Sequence, residues 1–217
     1  MKKANYSYIG ISAIILLFGI WAVPKIVQHF SAPDLAYIIK DGEQAKVAPF
    51  SFTNQEGETI TNKDYADKVY VVEFFFTTCP DICPIMNENM VKVQNEFYGN
   101  PNVGIASFTI DPTFDTVEVL KDYAKAYEIT NPNWNLLTGE KRDIYELANN
   151  CFNLYVGEVP GGDQSEGTFE HSGYFALVDQ EGFIRSRIDD NGNPIIYYDG
   201  LTNEGIQKLN EDIKKLL

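Results

Sequence analysis

The chain has 217 residues with ordinary apolar and charged fractions, 44% and 22%, which suits one domain with a sizeable core once an N-terminal segment is set aside. Its formal net charge is −14, from 17 Lys and Arg against 31 Asp and Glu, so it has no electrostatic reason to hold a phosphate backbone, and nucleic acid is excluded as a partner class. Three cysteines, two close and one distant, are not the dense pattern of a disulfide-stapled mini-domain, and no repeat or low-complexity tract is visible.

The run from Tyr6 to Val23 (YSYIGISAIILLFGIWAV) carries no charge. It is about 18 residues long, just enough to cross a bilayer core of ~30 Å as a helix. Lys2 and Lys3 precede it, and Trp21 lies near its far end, where an amphipathic ring suits the interface. The positive-inside rule keeps the short N-terminus in the cytoplasm and exports everything after Pro24. The rival is a cleaved signal peptide, but the run is long for that and no A-x-A site comes after it. With no Arg-rich, Ser-rich presequence, the expected location is a bacterial inner membrane, crossed once, with the C-terminal part in the periplasm or extracytoplasmic space. The expected organisation is residues 1–24 as cytoplasmic tip and anchor, 25–46 as spacer, and 47–217 as the folded domain.

Val47–Thr61 reads as a β-hairpin turning at Gln55-Glu56-Gly57. Lys68–Thr78 (KVYVVEFFFTT) is nearly all β-branched or aromatic and suits a strand buried on both faces. Pro84 fits the first position of a helix, with Ile85, Met86, Met90, Val93 and Phe97 at helical spacing. Val103–Ile110 is a further strand, and Thr116 caps the next helix. Trp134–Gly139 reads as a short strand and Lys141–Tyr155 as a helix, whose apolar face includes Cys151 as a buried, inert thiol. Ser172–Ile188 is a hairpin turning at Gln180-Glu181-Gly182, and Asn203–Leu217 is an amphipathic helix. Alternating units and then a closing hairpin and helix make an α/β layered domain with a mixed central sheet, an order that thioredoxin-like folds share. Sites in open sheets of this kind lie at the carboxyl ends of strands, which is where Thr77-Thr78-Cys79 falls.

The chemistry concentrates in TTCPDICP (Thr77–Pro84). Its two sulfurs come from the turn after a central strand and the first turn of the next helix, where a helix N-terminus favours thiolate. Three residues separate Cys79 from Cys83, so the pair sits i, i+4 and can chelate one soft ion or close a disulfide. Two thiolates suit Cu(I), and a nitrogen ligand added to them admits Cu(II). Metal site, redox pair and plain structural disulfide all remain open at this point. The chain has only two histidines. His29 lies in the spacer. His171 ends a Gly-rich loop just before an apolar strand and is the candidate third ligand. Met86 and Met90 fit core packing better than thioether ligation. Asp111 and Asp115 come after a strand end, near the site or in a turn.

FFFTTCPDICP (Phe74–Pro84) resembles the signature of the SCO/SenC copper-chaperone family. FTIDPTFDT (Phe108–Thr116) resembles that family's strand and Asp-Pro segment, and HSGYFALVDQEGFIRSRI (His171–Ile188) resembles its ligand histidine and hairpin. The single N-terminal membrane helix is similar too. The resemblance implies a thioredoxin-like domain that binds one copper ion through Cys79, Cys83 and His171. It also implies delivery of copper to the binuclear site in subunit II of cytochrome c oxidase, or reduction of that site's cysteines. Asp111 matches an acidic position near the site, and Cys151 has no family role. The competing expectation is a thiol–disulfide oxidoreductase of the cell envelope in which Cys79 attacks and Cys83 resolves without obligatory metal. Either way the partner is an envelope copper or thiol protein, and the chain is expected to be a monomer. No activating Arg or Pro-x-x-x-Thr-x-x-Cys precedes Cys79, which counts against a peroxidase.

Overall fold

The structure is a computed structural model that describes residues 11, 12, 14–21, 23, 35–154, 156–158, 169, 170 and 172–217. The chain divides into two compact units, Met1–Asp34 and Leu35–Leu217. In the first, the described residues are helical and expose apolar side chains such as Ile14, Leu17, Phe18 and Trp21. Among the described residues no helix is long and apolar enough to cross a membrane. The expected span begins at Tyr6, and its residues 6–10, 13 and 22 lie outside those described.

The second unit opens with three two-residue strands, β1 (Ala36–Tyr37), β2 (Ile39–Lys40) and β3 (Glu43–Gln44). Residues 35–46, expected as the end of a spacer, therefore carry structure: β1 pairs with a strand near the chain's end, and β2 pairs with β3. The first expected hairpin forms as β4 (Ser51–Asn54) and β5 (Thr59–Thr61). Gly57 takes φ +80° in the turn, a conformation that favours glycine.

Strand β6 (Val69–Phe75) is buried along its whole length, as its apolar run predicts. It feeds helix α1 (Ile82–Glu96), then β7 (Val103–Thr109), helix α2 (Val117–Ala126) and β8 (Trp134–Thr138). β6, β7 and β8 are parallel, so two βαβ crossovers make the centre of the sheet. Thr116 caps α2 as expected, its hydroxyl accepting from the Val119 N–H. Pro84 is not the first residue of α1. The helix begins two residues earlier at Ile82, and Pro84 still falls in the first turn, where a missing N–H costs nothing.

Helix α3 (Lys141–Glu146) is shorter than predicted, because residues Leu147–Cys151 widen into a π turn. β9 (Gly157–Glu158) and β10 (Phe169–Glu170) pair with each other. β11 (Tyr174–Val178) and β12 (Ile184–Ser186) form the second expected hairpin, β13 (Tyr198–Asp199) pairs with β11, and α4 (Asn203–Leu216) closes the chain. The main sheet runs β1-β12-β11-β6-β7-β8-β4-β5 and is mixed, with β11 antiparallel to β6.

Side chains alternate across this sheet, so its two faces differ. On one, Phe74 stacks on Phe108 with centroids 5.5 Å apart, and Phe50, Phe52 and Phe152 complete an aromatic cluster. The other face carries Glu73 and Phe75, and Phe75 packs on Tyr123 of α2. α4 is pinned by its fully buried Asp212, which accepts from Arg187 at 2.7 and 2.9 Å and from the Tyr198 hydroxyl at 2.9 Å.

Candidate metal centre

β6 ends at Phe75, and residues 76–81 form the turn that carries Cys79 to the start of α1. Hydrogen bonds hold that turn. The Cys79 N–H donates to the Phe76 carbonyl at 3.3 Å. Thr77 is fixed by Asp115, which accepts its N–H at 3.2 Å and also its hydroxyl. The same carboxylate accepts the Thr109 hydroxyl, so it ties the loop after β6 to the end of β7. Burial pushes the Asp115 carboxyl above its usual range, with these hydrogen bonds working against the shift. The sequence presents Asp115 only as a turn or site-edge residue. Its signal there is its position six residues beyond Thr109, which cannot reveal a partner across the sheet.

Asp81 starts α1 but its side chain makes no capping hydrogen bond. The acceptor is sulfur instead: the Cys83 N–H donates to Cys79 Sγ at 3.4 Å. This is the position of a second-residue N–H that an N-cap oxygen ordinarily satisfies. A sulfur so placed lies at the positive end of the helix dipole. No disulfide bond joins the two cysteines in the structure. They differ in environment: Cys79 is half-buried and Cys83 is 1% exposed. The hydrogen bond with Cys79, then burial, push the Cys83 thiol well above its ordinary range, with the Phe76 backbone opposing and the charges of Cys79 and Glu73 adding. One sulfur is thus presented outward with the other beside and beneath it, an arrangement able to chelate a soft ion or to close a disulfide.

His171 lies outside the described residues, as does His29. Among the described residues no group of three His, Cys, Asp or Glu side chains could hold a metal ion. The strand just after His171 is described. β11 pairs Ala176 with Val72 and Val178 with Tyr70, antiparallel to β6. The beginning of β11 therefore lies toward the end of β6 that leads to Cys79. Gly173 is tied to the cysteine helix: its carbonyl accepts from Gly200 N at 2.8 Å, and the Gly200 carbonyl accepts from Asn89 Nδ2 of α1 at 2.7 Å.

The remaining candidates sort clearly. Met86 and Met90 are fully buried in the core, as expected. Asp111 is half-buried and forms a turn, its carbonyl accepting from Phe114 N and Asp115 N. Cys151 departs from expectation. It is half-buried rather than buried, because the π turn gives the inward positions to Leu147, Ala148 and Phe152. Its sulfur accepts from Ala48 N at 3.4 Å and points a thiol at the Lys46 carbonyl, in the wall of a groove of about 790 Å³. Burial pushes its thiol up. Glu73 escapes the sequence reading altogether. It stands in the apolar run as a lone acid six residues before Cys79, and that isolation is the available signal.

The family model described as SCO1/SenC matches residues 40–204. The SCO1 protein homolog of Bacillus subtilis is 33% identical over 168 residues, spanning 76% of this chain and 84% of that protein. The chain belongs to the SCO1/SenC family. BsSco, described as a member of the Sco family of cytochrome c oxidase assembly proteins with a disulfide switch, superposes with a TM-score of 0.64 at 31% identity, over 82% of this chain and 96% of that one. Yeast Sco1 with copper bound gives a TM-score of 0.60 at 25% identity, over 80% and 91%. The mixed sheet flanked by helices is thus the Sco domain, with the dithiol at the carboxyl end of a central strand.

Proposed function

We propose that this SCO1/SenC protein is a membrane-anchored copper chaperone that takes one copper ion on Cys79, Cys83 and His171. It delivers the ion to the binuclear copper site of cytochrome c oxidase subunit II, or prepares that site by reducing its cysteines. The observation that carries this reading is the asymmetric dithiol at the start of α1, with Cys79 Sγ held 3.4 Å from the Cys83 N–H. It is supported by the tie from Gly173 through Gly200 to Asn89, which brings the segment after His171 to the same helix. Yeast Sco1 holding copper supports the cargo, and Sco membership supports the assembly role. Two thiolates and an imidazole accept both Cu(I) and Cu(II), and ligand exchange with a partner's thiolates begins at Cys79, the more accessible of the two sulfurs. The uncharged run from Tyr6 to Val23 supports an anchor in a bacterial inner membrane with the domain outside, acting as a monomer.

The test is anaerobic titration of the reduced protein with Cu(I) and with Cu(II). One equivalent is expected to bind, and Cys79→Ala, Cys83→Ala and His171→Ala are each expected to weaken it at least ~10-fold, the range seen when a support of a metal site is lost. An unchanged affinity and copper spectrum in His171→Ala sinks the three-ligand reading.

A second reading is a thiol–disulfide oxidoreductase acting on envelope copper or thiol proteins without obligatory metal. It is favoured by the pairing of one accessible sulfur with one buried sulfur, and by the disulfide switch of BsSco. Retained disulfide exchange in His171→Ala, with copper uptake gone, separates it from the first.

A further inference from the structure

The loop that presents Cys79 has little packing to hold it. Thr78, Pro80 and Asp81 are exposed, and the Asp81 side chain makes no capping hydrogen bond. Residues 76–79 form a turn closed by the Cys79 N–H on the Phe76 carbonyl at 3.3 Å, longer than the roughly 2.7–3.2 Å of an ordinary N–H···O bond. So weak a closure leaves the place of Cys79 to the residue inside the turn, Thr77.

Asp115 grips that residue twice. Its Oδ2 accepts the Thr77 N–H at 3.2 Å, and its Oδ1 accepts the Thr77 hydroxyl. The first bond fixes the main chain and the second the side chain, so Thr77 cannot turn without losing one of them. The carboxylate is itself firmly seated. It is 1% exposed, it accepts the Thr109 hydroxyl at the end of β7, and the Asp115 N–H donates to the Asp111 carbonyl at 2.9 Å. The Asp111 N–H in turn donates to the Thr109 hydroxyl oxygen at 3.0 Å. A buried carboxylate is costly unless hydrogen bonds replace its water. Two of the three bonds that do so here go to the Cys79 loop and not to the turn that Asp115 belongs to.

Both cysteines depend on that loop. Cys79 Sγ accepts the Cys83 N–H at 3.4 Å, and the Phe76 backbone hydrogen-bonds the Cys83 thiol. Chelating one ion and closing a disulfide share one geometric need, two sulfurs already side by side. Holding them so beforehand raises the effective concentration of each for the other and removes an ordering cost from either event.

We propose that Asp115 is the positioning residue of the dithiol: through Thr77 it holds Cys79 beside Cys83, and so strengthens both copper binding and disulfide closure. The inference rests on the dithiol reading above and holds for copper transfer and thiol exchange alike.

The test uses the full chain at pH 7 and two anaerobic equilibria. One sets the Cys79–Cys83 pair against oxidised and reduced glutathione in metal-free buffer. The other measures Cu(I) affinity by competition with a chromophoric chelator. Thr77→Val removes the hydroxyl, Thr77→Ser keeps it, and Asp115→Asn sets an amide donor against one of the three donors. Tyr65→Phe is the control for lost stability, because it removes a buried hydroxyl that donates to the Ile105 carbonyl at 3.0 Å, toward the opposite end of β7 from Thr109. Thr77→Val and Asp115→Asn are each expected to lose about 10-fold in Cu(I) affinity, the lower end of the range for a lost support of a metal ligand. Their disulfide is expected to become easier to reduce by the same factor, a rise of ~30 mV in potential. Thr77→Ser keeps both wild-type values, and Tyr65→Phe keeps them while melting lower. Wild-type affinity and potential in Thr77→Val overturn the positioning role, however Asp115→Asn folds. So does a Thr77→Ser protein that behaves like Thr77→Val, or a shift in Tyr65→Phe as large as in Thr77→Val. A wild type that closes its disulfide and takes no Cu(I) overturns the copper reading, and the potentials then decide the role of Asp115. One that does neither overturns the dithiol reading and the positioning role together.

Discussion

Glu73 has a thermodynamic consequence at the level of the single residue. Its carboxyl moves from an ordinary 4.5 to about 7, and burial is the leading cause. In the unfolded chain it ionises near the lower value, in the folded chain near the higher. Below pH 4.5 it is neutral in both and makes no difference. As pH rises from there the folded state holds the extra proton, so stability falls, and the loss is complete above about 7. At ~1.4 kcal/mol per unit the penalty is about 3 kcal/mol. Glu73→Gln is therefore expected to raise the unfolding free energy by about that amount at pH 8 and hardly at pH 4. Urea unfolding at the two pH values checks this, and a gain that is the same at both contradicts the shifted ionisation. Residue identity alone reveals the cysteine pair, because cysteine is scarce and its spacing specific. It does not reveal Glu73, because a strand read for its apolar content absorbs one acid without comment. Nor does it fix the exposure of Cys151, which depends on a π turn that a 3.6-residue period cannot anticipate.

At the level of elements, the loop bearing Cys79 depends on the next crossover in the chain. Asp115 belongs to the connection between β7 and α2, yet its carboxylate holds Thr77. Asp115→Ala leaves the Thr77 N–H and the Thr77 and Thr109 hydroxyls short of their acceptor. The cost is expected to be about 2–4 kcal/mol, from the usual ~1–3 kcal/mol for a buried group left unsatisfied. It reads as a lower denaturant midpoint with an unchanged slope; a loss below ~0.5 kcal/mol means the loop is held elsewhere. The long elements are legible because β-branched and aromatic runs, turn glycines and the Thr116 cap all agree with one another. β1, β2, β3 and β13 are not, since a two-residue strand has no period to detect. The start of α1 differs from expectation by two residues because Pro84 looks like a first residue, while the actual cap is a sulfur that precedes it.

For the molecule as a whole, the order of alternating units makes a layered α/β sheet readable, and the family match over residues 40–204 agrees with it. The domain nevertheless begins before the first recognisable hairpin. Arg185 of β12 donates to Asp179 at 2.9 Å and to the Leu35 carbonyl at 2.6 Å, and its guanidinium lies 3.9 Å from the Tyr37 ring centroid. A soluble fragment starting at residue 47 uncovers the β12 edge and removes the Leu35 and Tyr37 partners of Arg185, leaving it Asp179. It is expected to melt lower than one starting at residue 35, and to aggregate through the bare edge. Equal melting temperatures and equal solubility rule out a structural role for residues 35–46.

The sulfur that caps α1 has a use beyond holding the helix. A backbone amide senses its acceptor, and the Cys83 N–H has Cys79 Sγ as its acceptor at 3.4 Å. Thiol, thiolate, disulfide sulfur and metal-bound sulfur differ in charge and in the lone pairs they offer. Each change of state at Cys79 therefore alters the electronic surroundings of one main-chain proton in a rigid first turn. The Cys83 amide is a gauge built into the backbone, and it reports what the neighbouring sulfur is doing without any label attached to either cysteine.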